Sequence, residues 1–93
     1  MLTLPVALTQ SEATACLASF QAQLRVDTDA VLCADASALA QFDSATLAVL
    51  LACRREADAQ GKAFVVKGLP TRLRTLANLY GVAELLPTAD SAH

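Results

Sequence analysis

The sequence contains very little of what metal binding and catalysis usually require. Histidine occurs once in 93 residues, at His93, and the three cysteines form no C-x-x-C pair. A metal site draws on several such ligands at short spacing, and cysteine catalysis needs a base beside an activated thiol. Only three glycines are present, and they form no nucleotide-binding loop of the G-x-G-x-x-G or P-loop type. We therefore predict a protein with no catalytic residue, metal, cofactor or small-molecule substrate.

Basic residues are also scarce. The chain has 7 Lys and Arg against 9 Asp and Glu, which gives a formal net charge of -2. Nucleic-acid binding usually requires a basic stripe, and the scattered cations are too few to form one. No nucleic-acid partner is expected.

Long apolar runs and an export signal are missing as well. No stretch approaches the roughly 18 uninterrupted apolar residues that cross a bilayer. The start, MLTLPVALTQSEA, turns polar without a basic region in front of an apolar core. The cysteines at positions 16, 33 and 53 each lie in an apolar segment, which indicates buried, reduced thiols. We expect a cytoplasmic protein that does not insert into a membrane itself.

Length and composition predict one domain spanning residues 1–93. Hydrophobic residues make up 55% and charged residues 17% of the chain, which is too apolar for a disordered protein. A chain of this length supports one core and no second one. We expect an ordered core at about 2–87 and a frayed tail at 88–93.

Three short apolar segments predict strands. The first covers 2–8 and is ended or edged by Pro5, and the others are VLCAD at 31–35 and AFVVK at 63–67. Because VLCAD is apolar almost throughout, it is typical of a central parallel strand that is covered on both faces.

Three amphipathic segments predict helices between and after these strands. They lie at about 10–24, from Asp43 or Ser44 to about residue 60, and at about 70–80. VAELLP adds one further helical turn. The apolar face of the last helix is predicted to comprise Leu73, Leu76, Ala77 and Tyr80.

The alternation of strands and helices predicts an α/β fold. Parallel neighbours in a sheet need connections of about a dozen residues, and helices supply them. We predict a short mixed or mostly parallel sheet, with three to four helices packed mainly on one face and loops or thin cover on the other.

The segment FDSATLAVLLACRREADAQG, at 42–61, is unusual for a surface helix. Its first turns are apolar on every side, although Asp43 or Ser44 provides a polar N-cap and Gly61 a typical C-terminal stop. One side is expected to pack on the sheet. The other is covered either by a neighbouring helix or by a second protein, and the sequence leaves both possibilities open.

The same segment, continued through KAFVVKGLPTRLRTLANLYGVAELLP, resembles the STAS domain found in anti-anti-sigma factors. The family has a D-[ST]-x-G-L stretch that opens a helix, and the resemblance covers roughly residues 2 to 87. The beginning LTLPVALT and the ending LANLYGVAELLP are most similar to the small cytoplasmic STAS subunits of Mla phospholipid ABC transporters, which help maintain outer-membrane lipid asymmetry. The chain begins near the second strand of the family, which implies that the first edge strand is short or missing.

The resemblance implies a site at the start of the second helix. Ser44 matches the hydroxyl residue that anti-anti-sigma factors have phosphorylated, Asp43 the acid before it and Leu47 the following leucine. Thr46 stands where the family has glycine, and its branched side chain is expected to stiffen the helix start and to crowd an approaching kinase or anti-sigma partner. The predicted partner-binding residues are Asp43, Ser44, Ala45, Thr46, Leu47, Thr71 and Arg72.

Two functions follow from the resemblance. In the first, the protein is a non-catalytic subunit that binds the ATPase of an Mla-type ABC transporter and is peripheral to the inner membrane through that partner. In the alternative, it is a partner-switching regulator that binds an anti-sigma factor or serine kinase and is controlled by phosphorylation of Ser44. For the first function we expect Ser44→Asp or Leu47→Glu to leave the domain folded and to reduce binding of the ATPase.

Overall fold

In the computed structural model, which describes residues 2–26 and 29–87, strands and helices alternate along the chain. The strands are β1 (Leu2–Thr3), β2 (Ala7–Leu8), β3 (Val31–Asp35), β4 (Gln41–Phe42) and β5 (Ala63–Lys67). The helices are α1 (Gln10–Val26), α2 (Ser44–Ala59) and α3 (Thr71–Leu79), followed by a 3-10 turn at Ala83–Leu85. The predicted α/β class is confirmed, and the additional turn in VAELLP is the 3-10 turn.

The strands form two small parallel sheets. The first has the order β1-β3-β5, so β3 is the central strand, as predicted. The second pairs β2 with β4, with Ala7 opposite Gln41. The single strand predicted at 2–8 is therefore wrong. It is two strands with Pro5 between them, and the chain passes from one sheet to the other at this point.

The core lies on one face of the β1-β3-β5 sheet. Leu32 and Ala34 of β3 are buried with Phe64 and Val66 of β5, in one cluster with the buried residues of all three helices. Val31, on the opposite face, is 52% exposed. The prediction that β3 is covered on both faces is wrong, because an apolar run does not show which face a helix will cover. The predicted packing of helices mainly on one face is confirmed.

Local signals account for the start of α1. The carboxylate of Glu12 accepts bonds from the Thr9 backbone N–H (2.8 Å) and from the Thr9 hydroxyl (2.7 Å), a capping arrangement that satisfies donors at a helix start. Phe20 and Leu24 form the buried face of the helix, which ends at Val26, two residues beyond the predicted end.

Some side chains are more exposed than the sequence indicates. Tyr80, predicted on the apolar face of α3, lies just after the helix and is 58% exposed. All three cysteines are free thiols, but only Cys53 is buried; the prediction of a buried thiol is wrong for Cys16 and Cys33, which are half-buried. The predicted tail at 88–93, with His93, lies outside the described residues.

Within residues 2–26 and 29–87, no helix has the length and apolar character that crossing a bilayer requires.

Candidate functional site

Asp43 is the N-cap of α2. Its Oδ1 accepts a bond from the Ala45 backbone N–H at 2.8 Å, and its own N–H donates to Thr46 Oγ1 at 3.2 Å. The Asp43 side chain also accepts a bond from the Thr46 backbone N–H, so Asp43 and Thr46 form a capping box, which satisfies donors that a helix start leaves unpaired. Of the two candidate caps in the sequence, Asp43 has this role, and Ser44 is the first helical residue.

The carboxylate of Asp43 also reaches a second helix. Its Oδ2 accepts a bond from the backbone N–H of Gln10, the first residue of α1, at 3.3 Å. One negative charge therefore lies at two helix N-termini, where the helix dipoles favour it. This bond links the beginnings of α1 and α2, which also pack on each other along their length.

Thr46 is fully buried, with 0% of its surface exposed. Its hydroxyl donates a hydrogen bond to the backbone carbonyl of Leu8 in β2 while it accepts the bond from Asp43. The side chain is therefore directed into the protein, and the expectation that it crowds an approaching partner is wrong. Its hydroxyl anchors the helix start through these two bonds, whereas the sequence predicts only that the branched side chain stiffens it.

Leu47 is part of the core and is only 3% exposed. Neither Leu47 nor Thr46 offers side-chain surface to a partner in this structure. A glutamate at position 47 would place a charge in an apolar core, which is strongly unfavourable. We therefore no longer expect Leu47→Glu to leave the domain folded.

The exposed members of the predicted site are Ser44 on α2 and Thr71 and Arg72 on α3, and Ala45 is half-buried. The two helix starts lie toward the same end of the sheet, because the connection after β3 meets the connection after β5. An ideal Cβ on Gly68 would be 3.0 Å from the Cα of Ser37. Among the described residues no hydrogen bond or ion pair joins the two helix starts directly.

Two carboxylates near this end of the protein are held in their charged forms. Hydrogen bonds from the Thr9 side chain and backbone lower the pKa of Glu12, and bonds from the Ser37 side chain and backbone lower that of Asp35. Asp43 opposes the shift at Glu12 by repulsion. This end of the protein therefore carries negative charge that the local hydrogen bonds stabilise.

The described residues include one thiol with a strongly shifted pKa. Burial, assisted by the charge of Glu56, raises the pKa of Cys53 to about 11, so this thiol stays protonated and is a poor nucleophile. In the part of the chain that the structure describes, no three His, Cys, Asp or Glu side chains cluster in a way that could hold a metal ion.

Comparison with known proteins assigns the chain to a family. A family model described as "Mlab, STAS domain" matches residues 1–87. A search of curated proteins gave no match. STAS domains are generally non-catalytic and mediate contacts between proteins. Because the match covers nearly the whole chain and agrees with the α/β architecture and the helix start at Asp43 and Ser44, the chain belongs to the STAS domain family.

Proposed function

We propose that the protein is a non-catalytic regulatory or assembly subunit that binds the ATPase of an Mla-type phospholipid ABC transporter. The observation that carries the proposal is the match of residues 1–87 to the family model whose description includes Mlab. The chain acts as one STAS domain, on the cytoplasmic side of the inner membrane, where it is held by the ATPase. Through this contact it supports the assembly or activity of a transporter that maintains outer-membrane lipid asymmetry.

The proposed docking surface consists of Ser44, Ala45, Thr71 and Arg72. Ser44 and Arg72 are exposed, and Arg72 has no ion pair among the described residues, so it is available to a carboxylate of a partner. The less exposed residues Asp43, Thr46 and Leu47 support this surface and are not expected to contact the partner through large exposed side chains. The first two fix the helix start through hydrogen bonds, and Leu47 packs it on the core. The α2 part of the docking surface is therefore held in place before a partner binds, which lowers the entropic cost of association.

One observation favours the alternative function. Ser44 is exposed as the first residue of α2, so its hydroxyl is accessible to a kinase. A phosphate there would interact favourably with the helix dipole, yet it would add roughly two negative charges beside Asp43. In this alternative the phosphate would release an anti-sigma factor or serine kinase that binds the unmodified surface.

Co-purification with the transporter ATPase tests the proposal. The tagged chain is expressed together with the Mla-type ATPase of the same organism, as wild type and as Ser44→Asp, Arg72→Glu and the control Arg25→Glu on α1. We expect wild type and control to retain the ATPase and the other two variants to lose most of it. Equal retention by all four would place docking elsewhere, and no retention by wild type would contradict the function.

Phosphopeptide analysis separates the alternative from the proposal. Protein isolated from its native cells is digested, and the occupancy of phosphate on Ser44 is measured. The transporter function predicts little or no modification. A nearly complete phosphorylation of Ser44 would instead support the partner-switching regulator.

A further inference from the structure

Two exposed residues of α2 form a crest that begins one turn after Ser44 and separates two apolar grooves. Ala48 and Arg55 form the crest, and both are exposed. Because they are seven residues apart, they lie two turns from each other on the same face of the helix. A depression of about 400 Å³ lies on one side, where α2 faces the 3-10 turn. On the other side, where α2 faces α1, a depression of about 280 Å³ is found.

The floors of the two grooves are mainly apolar. Leu51 of α2 and Leu85 of the 3-10 turn line the first groove. The second contains Leu17 of α1 and Ala52 of α2. All four side chains are half-buried, so they present apolar surface that is only partly covered. α1 packs against much of the side of α2 that does not face the sheet, and the two grooves are the apolar surface that remains only partly covered.

Arginine side chains supply the charge of this surface. Arg55 lines both grooves and makes no ion pair or hydrogen bond within the described residues. Arg54, which lines the first groove, lies 3.4 Å from Asp58 and is partly neutralised by it. The guanidinium of Arg55 is therefore available to a partner, and a carboxylate is the group that suits it best.

We infer that the grooves receive an amphipathic helix of the transporter ATPase, whose apolar side chains enter the grooves and whose Asp or Glu pairs with Arg55. A helix that crosses another places its ridges in the grooves of its neighbour, and a crest between two grooves suits that packing. Arginine binds a carboxylate through two parallel hydrogen bonds, which fixes the position of the incoming helix. This inference rests on the proposed function and extends the contact by about 16 Å along α2 from Ser44.

A second copy of the chain fits this surface less well. Neither groove is lined by an acidic residue. A two-fold contact pairs this surface with itself, so a second copy offers Arg55 no carboxylate here. The charge of the crest therefore favours an acidic segment of a different protein.

Binding measurements with variants of Arg55 test the inference. The ATPase is titrated with wild type, Arg55→Lys, Arg55→Glu and the control Arg25→Glu, and melting curves establish that each variant is folded. Reversing one charge of a close pair should raise the dissociation constant about tenfold or more. Arg55→Lys retains the charge without the paired hydrogen bonds and should lie between wild type and Arg55→Glu. The control should match wild type.

The outcomes distinguish the inference from the function on which it rests. If the ATPase binds wild type and Arg55→Glu equally well, the inference is wrong and the proposed function stands. If the ATPase binds neither, both are wrong.

Cross-linking identifies the segment that occupies the grooves. A photoreactive phenylalanine analogue replaces Ala48, and the complex with the ATPase is irradiated. A link to an acidic helical segment of the ATPase is expected. A link only to a second copy of the chain would overturn the inference.

Discussion

At position 46 a threonine stands where the STAS motif has glycine, and its environment explains how the substitution is accommodated. The side chain points into the protein and makes two hydrogen bonds. Its hydroxyl accepts a bond from the Asp43 backbone N–H and donates one to the carbonyl of Leu8. The sequence predicts a cap at Asp43 or Ser44, because capping residues act within one turn, and the structure selects Asp43. It could not reveal the bond to Leu8, which joins residues far apart in the chain.

Removing the Thr46 hydroxyl should destabilise the protein. Thr46→Val retains the shape of the side chain but leaves the Leu8 carbonyl and the Asp43 N–H without this partner. We expect a loss of about 1–3 kcal/mol in the free energy of unfolding, measured by urea denaturation. Thr75→Val is the matched control, because the Thr75 hydroxyl bonds the Thr71 carbonyl at an exposed site. A loss no larger than that of the control would contradict this role of Thr46.

At the scale of single elements, the connection between β5 and α3 depends on a glycine with little room around it. Gly68 has a φ of +68°, and a Cβ added there would collide with Ser37 in the connection after β3. Gly61, after α2, has a similar φ of +72° but open space around it. The sequence predicts the helix stop at Gly61. The crowding at Gly68 arises only when the two connections meet in the fold.

The two glycines therefore make a matched pair of substitutions. Gly61→Ala should cost about 1–2 kcal/mol, because only the left-handed backbone conformation disfavours alanine. Gly68→Ala should cost roughly 1–3 kcal/mol more, since Ser37 must also move. Urea denaturation of both variants gives the two losses. Equal losses would mean that the contact with Ser37 contributes nothing.

The start of α1 should make stability depend on pH. The Thr9 bonds lower the folded pKa of Glu12 below its usual value of 4.5. A carboxyl with a lowered folded pKa stabilises the folded state above its unfolded pKa, and the contribution is lost as the pH falls through the folded value. Glu12→Gln keeps an acceptor oxygen but does not titrate.

Denaturation at several pH values measures this dependence. The difference in stability between wild type and Glu12→Gln should be largest near neutral pH and should shrink below about pH 4.5. Thr9→Val removes the hydroxyl donor that lowers the pKa of Glu12. The stability of this variant should therefore depend less on pH than the stability of wild type. A difference that stays constant from neutral to acid pH would contradict this account.

At the scale of the whole molecule, the sequence predicts the α/β class, the central position of β3 and the three helices. It does not predict the second sheet, because β2 and β4 are two residues long and carry no alternation. It also assigns cover to both faces of β3, since an apolar run is compatible with either arrangement. Long periodic elements are readable from local pattern, whereas short strands and the choice of sheet face depend on contacts between distant segments.

The surface of α2 shows that the sequence pattern of a helix does not reveal which of its side chains a partner can contact. Its sequence shows apolar residues on every side. In the structure some of them are buried in the core, and others line the grooves beside the crest that carries Arg55. The sequence locates Ser44 at the helix start but also assigns the buried Leu47 to the docking surface. Which side chains a partner can touch is decided by packing that the helix pattern alone does not specify.

The dissociation constant of the complex with the transporter ATPase tests the central claim most directly. It is measured for wild type, Ser44→Asp and Ser19→Asp, where Ser19 is an exposed serine of α1. A charge in the docking surface must be desolvated on binding, so Ser44→Asp should weaken the complex about tenfold or more. Ser19→Asp should bind like wild type. Unchanged binding by Ser44→Asp, or no binding by wild type, would contradict the account.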